Sequence, residues 1–199
     1  MLPDAPPPRR ALLYVFDGYA DWEPALALCE LRQEGGFRVE TFSDDGGAVV
    51  SRGGLRVMPD RSLRAVEAGE PADLLVLPGG DRWTSELPPG IGELARAHLG
   101  AGRTVAAICG AVLGLAAAGV LAGRDHASNG QAWLEEHAGD YEGQTRHVDA
   151  LACADGGLIT ASGAAPVEFA RLLLERFEVY PAEVLPEWFT LFKTGELPG

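Results

Sequence analysis

The stretch Thr104-Val-Ala-Ala-Ile-Cys-Gly-Ala111 decides how this chain is read. Its first five residues carry no charge and form a short apolar run, the mark of a strand buried on both faces. The run passes with no linker through Cys109-Gly110 into residues 111–121, a helix-like series of small and apolar side chains. A strand that turns so sharply into a helix has the geometry of a nucleophile elbow. Gly110 and Ala111 leave the backbone room to bend, and the helix N-terminus sets unsatisfied N–H groups and positive potential beside the sulfur. That setting favours the thiolate, the reactive form of cysteine. A small buried apolar cysteine is the other reading of the position, and the pattern alone leaves both open.

Working outward, the same alternation continues on both sides. Residues 11–16 are an apolar run ending at Asp17-Gly18, and residues 22–34 carry apolar side chains at Ala25, Leu28 and Leu31 before the stop Gly35-Gly36. Residues 37–42 read as a second strand, and residues 48–57 as a hairpin excursion around Arg52-Gly53-Gly54. A buried strand over 73–77 breaks at Pro78-Gly79-Gly80, and residues 91–99 are helical. After the elbow come two strands across Asp155-Gly156-Gly157 and an amphipathic helix over 166–177. A last helix over 181–192 carries Val184, Leu185, Trp188, Phe189 and Phe192 and is expected to pack on its own domain in preference to a subunit interface. Continuous apolar strands alternating with helices predict an α/β sandwich on a mostly parallel sheet, with strand order left open.

In such sheets ligands bind beyond the carboxyl ends of the strands. The segments Asp17-Gly-Tyr-Ala-Asp-Trp-Glu23, Pro78-Gly79-Gly80 and Cys109-Gly110 would meet in one crevice if their strands are neighbours, as in a flavodoxin-like order. There the amide of Gly110 and one from Gly79 or Gly80 would make an oxyanion hole. Trp83 either walls this crevice or sits in the core. Cys29, within a helix on its apolar side, and Cys153, inside a strand, read as core residues.

The composition sets the outer limits. With 199 residues, one compact domain is expected, burying about 70 % of the unfolded surface and needing no disulfide or metal staple. The 16 Lys and Arg stand against 29 Asp and Glu, and a net charge of −13 excludes a basic face for nucleic acid. Lys193 is the one lysine, a coding bias that carries no function. The opening Met1-Leu-Pro-Asp-Ala-Pro-Pro-Pro-Arg-Arg10 lacks a signal-like apolar stretch, so residues 1–10 are expected as an unstructured lead-in to a single domain over 11–199. The longest apolar run, 111–123, is too short for a bilayer, which predicts a soluble protein without membrane contact, cytoplasmic by default. Three cysteines without a C-x-x-C spacing argue against a disulfide framework and a zinc site, and fit a reducing compartment. His98, His137 and His147 read as surface helix or loop residues with no metal-ligand spacing, so neither a metal nor a cofactor is expected.

Four motifs in order resemble one family. Val105-Ala-Ala-Ile-Cys-Gly-Ala111, followed by Ala117-Ala-Gly-Val-Leu-Ala-Gly-Arg124, is similar to the cysteine elbow of the ThiJ/PfpI superfamily, relatives of class I glutamine amidotransferases. Leu75-Val-Leu-Pro-Gly-Gly80, Asp21-Trp-Glu23, and Leu158-Ile-Thr-Ala-Ser-Gly163 with Glu168-Phe-Ala170 fit the same pattern, and the likeness spans residues 11–180. The resemblance implies a flavodoxin-like three-layer sandwich with a mostly parallel sheet, class I glutamine amidotransferase-like, and a homodimer. It implies Cys109 as the reactive group and Glu23 as the carboxyl that hydrogen-bonds it. An ionised Glu23 beside a Cys109 thiolate is a like-charge pair, so the two would share a proton. Without the resemblance, Glu23 reads equally as a first-turn carboxylate favoured by the helix dipole.

The sequence also departs from the family. Protease- and amidase-like members carry histidine directly after the cysteine, where this chain has Gly110; others carry it at the position of Asn129. The amidotransferase His-x-Glu pair falls on Pro166-Val-Glu168, without a histidine. His126 is close in sequence, but strand alternation points it away from Asn129. The expected function is thus a cysteine-dependent enzyme that hydrolyses or hydrates a small carbonyl, amide or related electrophile. A redox or stress sensor oxidised at Cys109 is the alternative, and a holdase-like chaperone a third that rests on family analogy alone.

Overall fold

A computed structural model describes residues 8–197. In chain order the elements are β1 (Arg10–Tyr14), α1 (Trp22–Gln33), β2 (Arg38–Ser43), β3 (Val49–Val50), β4 (Arg56–Val57), β5 (Arg61–Ser62), α2 (Leu63–Glu67), β6 (Leu74–Leu77), α3 (Arg82–Ser85), α4 (Ile91–Gly100), β7 (Thr104–Ile108), α5 (Gly110–Ala117), α6 (Gln131–His137), β8 (Ala152–Asp155), β9 (Leu158–Ala161), α7 (Pro166–Arg176) and α8 (Leu185–Thr194). Seven strands form one sheet in the order β5-β2-β1-β6-β7-β9-β8, parallel except for the edge pair β8–β9. The central five follow the flavodoxin-like order, so β1, β6 and β7 are neighbours and their carboxyl ends lie side by side.

Burial on both faces explains the unbroken apolar runs. Every residue of β6 and of β7 is buried, Leu74 to Leu77 completely. Each such leucine contributes about 1.5–3 kcal/mol of burial free energy. Helices α1 and α7 pack together, α4 and α5 form another contact pair, and α8 lies on α7. The last helix packs on its own domain as expected: Leu185 and Trp188 are buried, and Trp188 Nε1 donates to Glu30 of α1 at 3.2 Å. The excursion over 48–57 is a small antiparallel sheet of β3 and β4. No helix among the described residues is long and apolar enough to cross a membrane.

Several expectations need correction. Residues 1–7 of the expected lead-in lie outside the described residues, but Arg9 and Arg10 belong to the domain. Arg10 opens β1, and the Arg9 carbonyl accepts the Arg38 N–H at 2.8 Å. Cys29 is exposed, because α1 buries Glu23, Pro24, Ala27 and Leu31. A carboxyl, not an apolar residue, leads that inward stripe, which turns the helix away from the face that Ala25 and Leu28 suggested. Cys153 is half-buried on the edge strand β8. His98 is buried in the core-facing row of α4, with Nδ1 against the Leu94 carbonyl at 2.9 Å.

Candidate active site

Cys109 is the single residue between β7 and α5, and the tight turn forces it to φ +60° and ψ −125°. A non-glycine residue held there costs on the order of 1–3 kcal/mol, which the buried strand and helix on either side supply. Its N–H donates to the Ala161 carbonyl of β9 at 2.9 Å, which anchors the elbow across the sheet. The side chain is half-buried.

Glu23 reaches the same point from the first turn of α1 and is 1 % exposed. One of its carboxylate oxygens accepts the Gly79 N–H at 2.6 Å, and the carboxyl hydrogen-bonds Cys109. The Gly79 carbonyl accepts the Ala20 N–H at 2.9 Å, so the loops after β1, β6 and β7 meet as the strand order requires. Burial raises the Glu23 carboxyl to about 7, with the Gly79 N–H, Cys109 and the Arg52 charge pulling the other way. Burial, and next the Glu23 carboxylate, push the Cys109 thiol above its ordinary value. The Asn129 amide and the Gly110 N–H oppose that rise. The helix N-terminus therefore does not decide the thiol on its own; burial, and next the carboxyl beside it, outweigh it.

A fourth loop, after β9, completes the site. A side-chain carbon at Gly163 would stand 2.7 Å from Cys109 Sγ, and one at Gly79 would stand 2.6 Å from Cys109 Cβ. Only bare backbone fits on either side of the sulfur. Asn129, on the solvent side, donates from Nδ2 to Sγ at 3.5 Å and accepts the Gly163 N–H on Oδ1 at 2.9 Å. It fills the position at which some members of the resembling family carry histidine.

Five of the expected site residues thus come together: Cys109, Glu23, Asn129 and the backbone of Gly79 and Gly110. The Gly79 amide is not an oxyanion donor, because Glu23 occupies it. The Gly80 amide has no acceptor among the described residues and, with Gly110, remains for that role. Trp83 does not wall the crevice. It is 2 % exposed, donates from Nε1 to the Pro78 carbonyl at 2.9 Å, and packs edge-on to Tyr14 and Phe16 under the elbow. His126 does not face the sulfur either: its Nδ1 donates to the Arg124 carbonyl at 2.8 Å, and its Nε2 accepts the Tyr141 hydroxyl. No imidazole hydrogen-bonds Cys109 among the described residues. In the sequence Gly163 stands out only as part of a motif; its contact with the sulfur crosses from the loop after β9 to the end of β7, which no local pattern encodes.

The arrangement can take a proton from sulfur to a carboxyl whose affinity for it is matched to neutral pH, and can present two amides to a developing oxyanion. Comparison with known proteins gives it a family. Residues 9–176 match the model of the DJ-1/PfpI family. The uncharacterized protease YoaZ of Bacillus subtilis is 36 % identical over 193 residues, covering 94 % of this chain and 91 % of that protein. A solved thiJ/pfpI family protein from Bacillus anthracis is 35 % identical with a TM-score of 0.87, covering 94 % of this chain and 92 % of its own. A solved DJ-1 superfamily protein from Agrobacterium tumefaciens is 34 % identical with a TM-score of 0.84, covering 94 % and 98 %. The match over residues 9–176, with relatives this similar along the whole domain, means that the chain belongs to the DJ-1/PfpI family.

Proposed function

We propose that this protein is a cysteine-dependent enzyme acting on a small reactive carbonyl, with Cys109 as nucleophile and Glu23 as its base. One observation carries this reading: a buried carboxyl, anchored on the Gly79 N–H, stands beside the sulfur where other cysteine enzymes use an imidazole, and burial raises its proton affinity. As Sγ adds to the carbonyl carbon, the S–H proton passes to the Glu23 carboxylate and the carbonyl π pair moves to oxygen. The amides of Gly80 and Gly110 stabilise that oxyanion. Glu23 then returns the proton to it, leaving a neutral hemithioacetal. Water forms a C–O bond to the same carbon as the C–S bond breaks, and the sulfur leaves as the thiol with one of the water's protons, releasing the carbonyl as its hydrate. The word protease in the name of YoaZ extends less readily to this chain, since peptide hydrolysis calls for a base and acid that follow the leaving amine, a task suited to imidazole.

Turnover of a 2-oxoaldehyde and of a simple amide, measured side by side, tests the proposal. The dicarbonyl is expected to be consumed, Cys109→Ser to abolish its consumption, and Glu23→Gln to slow it on the order of 10²- to 10⁴-fold. Full activity in Cys109→Ser would place the chemistry elsewhere. A second reading has its own support: protonated Glu23 is a donor for a sulfinate at Cys109, and the backbone clamp of Gly79 and Gly163 favours oxidants as small as peroxide. A stable gain of two oxygens on Cys109 under mild peroxide, without dicarbonyl turnover, is the result expected of a sensor.

A further inference from the structure

Asn129 sits on an exposed turn, yet its amide must hold both Sγ and the Gly163 N–H. What fixes that turn lies behind it. Ser128 is buried, and its Oγ accepts the Gly130 N–H at 3.0 Å, which closes the turn around Asn129. The Ser128 hydroxyl also hydrogen-bonds His147 Nε2, 2.9 Å away, and donates to it when the ring carries its proton on Nδ1. His147 comes from a segment far along the chain, bound to the Asn129 segment by an isolated parallel bridge between His126 and His147. The bridge is made by the His126 N–H to the Arg146 carbonyl at 3.1 Å and the Val148 N–H to the His126 carbonyl at 2.8 Å. From the other side, the Ala127 N–H donates to the buried Thr160 hydroxyl of β9 at 2.9 Å. Residues 126–130 are therefore held on two sides, and Ser128 is the point at which the hold reaches Asn129.

We propose that His147, acting through Ser128, is a positioning residue that holds the Asn129 amide on Cys109. It touches neither the sulfur nor any substrate; it sets the conformation of the turn that does. The proposal rests on the reading of Cys109 as the reactive group, but not on carbonyl turnover. The titratable neighbours of His147 are His126 from the bridged segment, Asp149 from its own segment and Glu135 from α6. Burial and His126 lower its proton affinity, while Asp149 and Glu135 raise it. The neutral imidazole is the form that accepts the Ser128 hydroxyl.

The test is the rate at which Cys109 is alkylated by iodoacetamide, followed from pH 6 to 9 by mass mapping of the Cys109 peptide, since Cys29 and Cys153 are also free thiols. Asn129→Ala is expected to slow alkylation about tenfold at neutral pH, the worth of one hydrogen bond to a charged group. Ser128→Ala and His147→Phe should slow it to a similar degree, and neither should add to Asn129→Ala in the double variant. His147→Gln, which keeps an acceptor for the hydroxyl, should recover most of the rate. His147 is only half-buried, so its variants remain informative where Ser128→Ala fails to fold. Additive effects, a His147→Phe profile that overlays the wild type, or a silent Asn129→Ala would each overturn the proposal. Because alkylation needs no turnover, a protein that fails to consume dicarbonyls still reports on this coupling.

Discussion

Glu23 links reactivity and stability in opposite senses. A carboxyl raised from 4.5 to about 7 binds its proton more tightly in the folded protein than in the unfolded chain. Its contribution to stability is therefore fully present below 4.5 and is lost as pH rises through 7. Over that window the loss is on the order of 3 kcal/mol. Reactivity runs the other way, because the base is the ionised form. The rate of carbonyl addition should rise with pH through a midpoint near 7, and Glu23→Gln should lack that step. The same variant should unfold at a higher denaturant concentration than wild type at pH 8 and equal it near pH 4. A wild-type-like pH dependence of stability in Glu23→Gln would mean that the carboxyl is not what titrates. Beside it, Gly163→Ala places a methyl 2.7 Å from Sγ and should suppress Cys109 alkylation at least tenfold while leaving the circular dichroism unchanged. The sequence announces Cys109, Glu23 and Asn129 through motifs that are local, whereas Gly163, Ser128 and His147 matter through contacts between distant segments.

At the scale of elements, the elbow depends on what lies beneath it. Trp83 stands on α3, a single turn, and fills the space between Tyr14, Phe16 and the start of α5. Trp83→Ala should cost about 3–5 kcal/mol in denaturant unfolding, the usual range for an aromatic truncated in a core. Trp83→Phe keeps most of that packing but leaves the Pro78 carbonyl without its donor, so about 1–3 kcal/mol is expected. A loss below 1 kcal/mol in both would put Trp83 at the surface of the site after all. The main strands and helices are legible in the sequence because burial on two faces writes an unbroken apolar run and burial on one face writes a helical stripe. The pieces that escape it have neither. Helix α3 spans four residues, too few for a period, and α6 buries only Leu134. Strand β5 is two residues of Arg and Ser, recruited by pairing with β2 and not by its own side chains. Helix α1 is legible as a helix but not in its rotation, since its inward stripe begins with the carboxyl of Glu23.

Across the whole molecule, two electrostatic effects oppose each other in acid. The net charge of −13 relaxes as pH falls toward the isoelectric point near 4.6, which reduces self-repulsion and favours the folded state. Buried imidazoles act against this. His98 is 2 % exposed, and its Nε2 has no hydrogen-bond partner among the described residues. Burial, and next the charges of Arg103 and Arg10 after the opposing pull of the Leu94 carbonyl, hold its proton affinity below the ordinary value of 6.5. The unfolded chain therefore takes up a proton below 6.5 that the folded chain refuses, and stability falls as pH drops through that value. Replacing His98 by leucine, of similar volume, removes both the titration and the orphaned nitrogen while leaving the net charge at neutral pH unchanged. Self-repulsion is then common to the two proteins, and the difference between their unfolding midpoints isolates the imidazole. That difference should be small at pH 8 and widen in favour of His98→Leu between pH 6.5 and 5. A gap that stays constant over the range would show that His98 charges as readily in the fold as outside it, and that the acid limb arises from the carboxylates instead.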